Sequence, residues 1–284
     1  MPLYRMEEPA PSIDAPILVA ALDGWVDAGS AGTLAAGRLT EEANVVATFD
    51  GDQILDYRAR RPTLDVVDGT LMDLEWPTLR LLASRLDGRD LLVLTGPEPD
   101  YRWQELAADI VELTRRLGVV SWASLGAIPA AVPHTRPVRI LGTASKPGLL
   151  PADLAQGPDG RLRVPSAALS VLELAVSRTG IPSVGFYAQV PHYVSAAYPA
   201  GAIELLGHLG RFLGVEIAVG ALASQALQAR QLLDAATEAD ERTRAYVRRL
   251  EEMADEARLP AGDDLIADIE RFLRERDGGD GRPN

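Results

Sequence analysis

The segment Ile17-Leu-Val-Ala-Ala-Leu22 constrains the fold more than any other part of the chain. Six consecutive apolar residues leave no polar face, so a strand built from them must be covered on both sides, as in the middle of a sheet flanked by helices. The run feeds through a glycine-containing loop into helical spacing over about 28–42. Leu91-Leu-Val-Leu94 repeats the pattern. It is followed by the loop 95–102 and a predicted helix over 103–117, with Leu106, Ile110, Leu113 and Leu117 on one stripe. Further strands are expected over 45–49, 64–67, 71–74, 119–125, 138–142 and 183–190, and further helices near 166–178 and 199–213. Tight Gly and Asp turns between the strands of 45–74 predict an antiparallel portion. The expectation is an α/β fold: a mixed, mainly parallel sheet flanked by helices.

Beyond residue 215 the composition shifts. Residues 1–215 hold 25 acidic and 18 basic side chains (net −7), and residues 216–284 hold 16 and 10 (net −6) in about a third of the length. Apolar residues recur at helical spacing, as Val219, Leu222, Ala226, Ala229 and Leu233, then Val247, Leu250, Ala254 and Ala257, then Leu265, Ile266, Ile269, Phe272 and Leu273. Pro260 and Gly262 separate the last two groups. The predicted organisation is an α/β domain over 1–215, a helical extension over 216–276 and a disordered tail over 277–284. The net charge of −13 argues against nucleic acid or an anionic membrane as partner, because both would be repelled. Cysteine is absent, which removes disulfides and thiolate chemistry. The first 16 residues carry Glu7, Glu8 and Asp14 and no apolar core, so no signal peptide is expected and the chain is read as cytoplasmic.

The richest loop is Asp23-Gly-Trp-Val-Asp-Ala-Gly-Ser-Ala-Gly32, which joins a buried strand to a helix. In α/β sheets ligands bind at that end of the strand, where free helix N–H groups meet anions. The glycines lack the dinucleotide-binding spacing and no Walker lysine follows. An equally weighted reading gives Asp27 the helix cap, Gly29 and Gly32 the turn, and Trp25 a packing role. Ser30 stands too far beyond Leu22 for a nucleophile elbow. The second strand is followed by Gly96-Pro-Glu-Pro-Asp-Tyr-Arg-Trp103. If the two strands are neighbours, Asp23, Asp27, Glu98, Arg102 and Trp103 share one rim; the plainer reading makes Trp103 core and pairs Arg102 with a nearby acid. His208 falls mid-helix. His134 and His192 each follow a strand, in Val132-Pro-His-Thr135 and Val190-Pro-His-Tyr193, and are the better candidates for a base or a ligand contact. No His-x-x-x-His or His-Glu-x-x-His pair is present, so no metal site is expected.

These segments, with Ser124-Leu-Gly-Ala-Ile-Pro129, together resemble the PAC2 family, named for proteasome assembly chaperone 2, over about 17–213. The resemblance implies a fold like purine nucleoside phosphorylase and a homo-oligomer, a trimer being one candidate size. For eukaryotic relatives it implies a chaperone that holds proteasome α-subunits together with a second subunit. Such factors commonly dock through a hydrophobic-Tyr-X tail, whereas this sequence ends Gly281-Arg-Pro-Asn284. The favoured expectation is a non-enzymatic protein-binding or assembly factor, without cofactor or catalytic residue. The alternative is a small-molecule binder or hydrolase/transferase whose phosphorylase-like pocket uses Asp23, Asp27, Glu98 and His192; a purely structural oligomer is the third. The candidate binding residues are Asp23, Gly24, Trp25, Asp27, Gly29, Ser30, Glu98, Trp103, His192 and Tyr193.

Overall fold

The computed structural model describes residues 1–8, 12–151, 154–156 and 161–256. In chain order the first part holds β1 (Tyr4–Met6), β2 (Ile17–Asp23), α1 (Ala31–Leu39), β3 (Asn44–Phe49), α2 (Gly51–Ile54), β4 (Thr63–Val67), β5 (Thr70–Glu75), β6 (Arg80–Leu86) and β7 (Arg89–Pro97). There follow α3 (Trp103–Arg116), β8 (Ser121–Ala130), β9 (Ile140–Ala144), β10 (Ala155–Gln156), α4 (Ala168–Ser177), β11 (Ser183–Pro191), α5 (Pro199–Leu213), α6 (Leu222–Ala239) and α7 (Glu241–Glu256).

The apolar run 17–22 lies inside β2 and is covered on both sides, as its composition requires. Leu18, Ala20 and Leu22 turn into one core, and Val19 and Ala21 into the other. β7 splits the same way, with Leu92 and Leu94 on the first side and Leu91 and Val93 on the second. The first core is closed by α3 and α4 through Leu106, Ile110, Leu113, Leu169, Leu172 and Val176. The second is closed by α1 and α5 through Ala31, Ala35, Ala202, Leu205 and Leu209. Small residues at this second contact let the backbones approach closely. A Cβ on Gly32 would stand 2.7 Å from the Leu125 carbonyl oxygen, so only glycine lets α1 sit down on β8.

Nine strands form one sheet in the order β1-β3-β6-β7-β2-β8-β11-β9-β10. Its centre, β7-β2-β8-β11, is parallel. The β1-β3-β6 arm joins β7 through antiparallel pairings, and β9 adds antiparallel to β11. The α/β sheet with helices on both faces and helices beyond residue 215 is the expected architecture. Because the four central strands run parallel, their carboxyl ends share one edge, and the loops that carry every candidate site residue emerge there.

Two features depart from the sequence expectation. The strands expected at 64–67 and 71–74 form, but they pair only with each other as a separate hairpin, β4-β5, so they do not supply the antiparallel part of the main sheet. That part comes from β1, β3 and β6 on one side of the sheet and β9 on the other, and the reading of the sequence omitted β1 and β6. Both hairpins turn on an Asp-Gly pair with positive φ at each residue, Asp68-Gly69 and Asp87-Gly88, the conformation that matches strand twist. The expected helix over 28–42 is shorter: residues 28–30 form a 3-10 turn with Ser30 left-handed (φ 51), and α1 ends at Leu39. The helical stretch expected at 265–273, the Pro260–Gly262 break and the 277–284 tail lie outside the described residues.

Candidate functional site

The carboxyl ends of β2 and β7 are direct neighbours, with Leu22 opposite Gly96 and Asp23 opposite Pro97. This brings Asp23, Glu98, Arg102 and Trp103 to one rim, as anticipated, with Gly24 and Trp25 beside them, whereas Asp27, expected with them, lies further along at the start of α1. Glu98 is buried, and its two carboxylate oxygens are both engaged by main chain. One accepts the Trp25 N–H (2.7 Å) and the other the N–H of Ala168 at the start of α4 (2.7 Å). Glu98 therefore ties the rim loop to the helix behind it and satisfies one of the orphan donors of that helix. Gly24 makes room for it: a Cβ there would stand 2.1 Å from a Glu98 carboxylate oxygen. Trp103 is half-buried and donates its indole N–H to the Pro99 carbonyl (2.6 Å). Arg60 reaches in to donate to the Asp23 carbonyl (3.1 Å). Arg102 pairs with Glu105, one turn along α3, as its plainer reading required.

The outward surface of this rim is aromatic. Trp25 is 69% exposed and Tyr101 52%. Trp76 is 47% exposed and packs edge-on against Tyr57 at 4.8 Å between ring centroids. The Tyr101 and Asp100 amides both donate to the Ile54 carbonyl, which locks the loop carrying Tyr101 onto α2. Two of the four tryptophans in the chain thus point into solvent from a well-tethered edge.

Asp27, Gly29 and Ser30 lie further along, where α1 begins. The Asp27 carboxylate accepts the N–H groups of Gly32 (2.7 Å) and Thr33 (3.3 Å) and the Thr33 hydroxyl (2.6 Å), a helix cap in full use. Burial pushes its pKa up, partly offset by these bonds. The Gly29 carbonyl accepts the Tyr198 N–H (2.7 Å), and Ser30 is exposed.

His192 and Tyr193 follow β11, beside the loop after β8 that carries His134. The Tyr193 hydroxyl accepts the His134 amide (2.8 Å) and lies 2.7 Å from Nδ1. With Nε2 3.1 Å from Asp234 Oδ1, the consistent assignment has Tyr193 donating to Nδ1 and Nε2–H donating to Asp234. Arg230 completes the cluster, donating to both Asp234 oxygens (2.9 Å each) and to the His134 carbonyl (3.0 Å). Burial holds the His134 pKa below its ordinary value, with the Arg230 charge acting the same way and the Asp234 bond opposing. His192 sits between the Ala130 carbonyl and the Tyr246 hydroxyl, each 3.1 Å from a ring nitrogen. Both histidines therefore have every ring nitrogen partnered within the chain, one each from the core side (Tyr193, Ala130) and one each from the C-terminal helices, Asp234 on α6 and Tyr246 on α7. Thr135 donates to Glu251, and Arg136 pairs with Glu251 and Asp255, so the same loop is pinned to α7 three more times.

A cavity of about 400 Å³ opens between this loop, α5 and α6, lined by His134, Arg136, Tyr198, Ile203, Glu204 and Arg230. Among the described residues no group of three or more His, Asp or Glu is placed to hold a metal ion. Reading the sequence missed Asp234, Arg230, Tyr246 and Glu251, whose spacing along amphipathic helices matches that of any solvated face. It also missed Glu173 on α4, which reaches the fully buried Ser124 (2.6 Å), itself the acceptor of the Trp122 indole (2.8 Å). Asp27 and Glu98, two of the four side chains suggested for a phosphorylase-like pocket, spend their oxygens on structure in different loops, Asp27 on the Gly32 and Thr33 amides and the Thr33 hydroxyl, Glu98 on the Trp25 and Ala168 amides.

No curated protein matches the chain. Solved structures do. A Mycobacterium tuberculosis protein is 34% identical (TM-score 0.83, covering 89% of this chain and 90% of that one), and one from Corynebacterium glutamicum is 30% identical (TM-score 0.83; 89% and 97%). A proteasome-assembly chaperone homologue from Mycobacterium tuberculosis is 32% identical (TM-score 0.73; 81% and 99%). The PAC2 family profile matches residues 21–237, a span that takes in the aromatic rim, both histidine loops and most of α6. The chain belongs to the PAC2 family.

Proposed function

We propose that this protein is a non-enzymatic, assembly-chaperone-like factor that holds a protein partner against the aromatic rim of Trp25, Trp76 and Tyr101. One observation carries the reading: at the sheet edge where an α/β enzyme keeps free polar groups, the Asp27 and Glu98 carboxylates are consumed by main-chain amides and the Thr33 hydroxyl, while large aromatic side chains face outward. Exposed tryptophan and tyrosine on a rigid support are the residue types that dominate protein interfaces. The likeness to a proteasome-assembly chaperone homologue supports the same class of role. In this reading Trp25 contacts the partner, and Asp23, Gly24, Glu98 and Trp103 hold its loop. Asp27, Gly29 and Ser30 shape the start of α1, and His192 and Tyr193 seat the helical extension of 216–276. The protein acts in the cytoplasm as a homo-oligomer, without metal, cofactor, nucleic acid or membrane. The charge of −13 supports the last two, and among the described residues no helix is long and apolar enough to cross a membrane.

A gene deletion complemented with Trp25→Ala/Tyr101→Ala tests this. Loss of the wild-type chain is expected to delay assembly of one identifiable complex, and the double variant, folded and expressed, is expected to leave the delay in place. Normal assembly in the deletion strain, or full rescue by the variant, would refute it. The 400 Å³ cavity favours a second reading, a small anion or nucleoside held beside His134 and Arg230, whose size fits such a ligand. A ligand at a hundredfold its Kd would then stabilise the fold by about 2.7 kcal/mol; a screen of nucleosides and phosphate that leaves Tm unchanged removes it.

A further inference from the structure

The β4-β5 hairpin stands apart from the main sheet, and every residue in both strands is exposed. Its pairing sorts its side chains. Leu64 lies opposite Leu74 and, past a register shift that skips Met72, Val66 lies opposite Leu71, so the pairing gathers these four on one face. Thr63 opposite Glu75 and Asp65 opposite Asp73 form the other face, which is acidic. The apolar side chains remain 38–70% exposed. A lone two-stranded hairpin of this kind is marginal in water and gains from a third strand that covers its free edge.

The same chain carries one segment with the complementary pattern. Residues 161–166 belong to no helix or strand and are exposed throughout. Their sequence Arg161-Leu162-Arg163-Val164-Pro165 alternates cation and apolar side chain, and Pro165 holds Val164 extended. Laid along the free edge of β5, period two puts Leu162 and Val164 on the apolar face and Arg161 and Arg163 on the acidic one. Antiparallel pairing sets Arg163 opposite Asp73, Leu162 opposite Leu74 and Arg161 opposite Glu75. The Asp73 carboxylate accepts the Leu74 amide (2.8 Å), a local bond between neighbours that leaves lone pairs for the arginine. Within one chain neither element covers the other, since both are exposed. The match therefore points to a second copy, and it is a basic exception on a protein whose net charge of −13 otherwise repels its own kind.

We propose that the strap 161–165 of one subunit adds as a third strand to the β5 edge of the next. Donor and acceptor are different surfaces, so the contact is head-to-tail and closes into a ring when the rotation between subunits allows. The proposal supplies the surface for the homo-oligomer in the reading above and is independent of what binds the aromatic rim.

The absence of cysteine makes the test direct. Asp73→Cys and Arg163→Cys are made as separate full-length proteins, both at exposed positions, with unchanged Tm as the folding control. Mixed and oxidised, they are expected to give a disulfide-linked heterodimer at least tenfold above the yield of Asp73→Cys mixed with Leu227→Cys, a remote exposed site. In light scattering, Arg161→Glu/Arg163→Glu is expected to reduce the oligomer to monomer, and adding Asp73→Arg/Glu75→Arg protein is expected to restore a mixed oligomer. Cross-links no better than the control, or an oligomer mass unaffected by charge reversal, would overturn the pairing, the latter while leaving self-association intact. Dominant Asp73→Cys self-cross-links would assign the edge to a hairpin-to-hairpin contact. A disulfide within single chains carrying both cysteines would assign it to the chain's own strap. Either result would overturn the proposal.

Discussion

Glu98 and Gly24 act as a unit. Removing the carboxylate leaves the Trp25 and Ala168 amides without their acceptor, and each buried donor so orphaned costs about 1–3 kcal/mol. Gly24→Ala drives a methyl into the same carboxylate. Glu98→Ala is expected to lower stability by about 2–4 kcal/mol, and Gly24→Ala by a comparable amount. The double variant should lose clearly less than the sum, since the methyl then enters the space the carboxylate vacated; denaturant titration of the three proteins measures this non-additivity. Glu173 carries a charge effect of opposite sign. Burial raises its pKa above the ordinary 4.5, with the Ser124 bond opposing. The folded state therefore holds the proton more tightly than the unfolded chain, so this contribution is present below pH 4.5 and is lost as pH rises through the folded value. Glu173→Gln, neutral at every pH, is expected to be about 1 kcal/mol more stable than wild type at pH 8 and to lose that advantage by pH 4, which thermal melts across the range would show.

At the scale of elements, the helical extension is fastened to the α/β core by the loop after β8 and by the turn after β11. Val247 and Leu250 are buried there, and His134, Thr135, Arg136 and His192 supply the polar contacts. His134, facing Arg230 and Asp234 from α6, Glu251 from α7 and Tyr193 from its neighbouring loop, is held neutral with a depressed pKa. Its stabilising effect is complete above pH 6.5 and fades as pH falls toward the depressed value. Asp234, lowered because the Arg230 bond and charge outweigh burial, adds a loss in the same direction at lower pH. Protection factors for hydrogen exchange over 222–256, corrected for the slower intrinsic exchange at low pH, are thus expected to fall between pH 7 and pH 5 while those of β2 and β7 hold; His134→Ala should lower them already at pH 7 and remove most of their pH dependence. None of this docking was legible in the sequence, because Asp234 and Glu251 meet their partners across 100 and 116 residues. What was legible was local or compositional: the doubly buried strands, the helices 103–117 and 199–213, and the alternative role of Asp27 as a cap. β6 escaped notice because Arg80-Leu-Leu-Ala-Ser-Arg-Leu86 neither alternates cleanly nor runs unbroken. The separation of β4-β5 from the sheet is decided by tertiary pairing that periodicity does not encode.

At the scale of the molecule, two parallel strands that end side by side create the rim, and the Glu98 carboxylate faces inward there while Trp25, Trp76 and Tyr101 face outward. The candidate residues thus divide into those that build the edge and those that present it, and Trp25 is the one that presents most. Its exposure implies that Trp25→Ala alters stability by no more than about 0.5 kcal/mol, so any loss of function on that substitution reports on contact. The most direct measurement replaces Trp25, in living cells, with a photo-cross-linking residue, and replaces Leu227 on the exposed face of α6 in a parallel strain as control. The account predicts one dominant protein adduct from position 25 that the control lacks and that Tyr101→Ala diminishes several-fold. Equal adduct patterns from the two positions, or none from position 25, would contradict it.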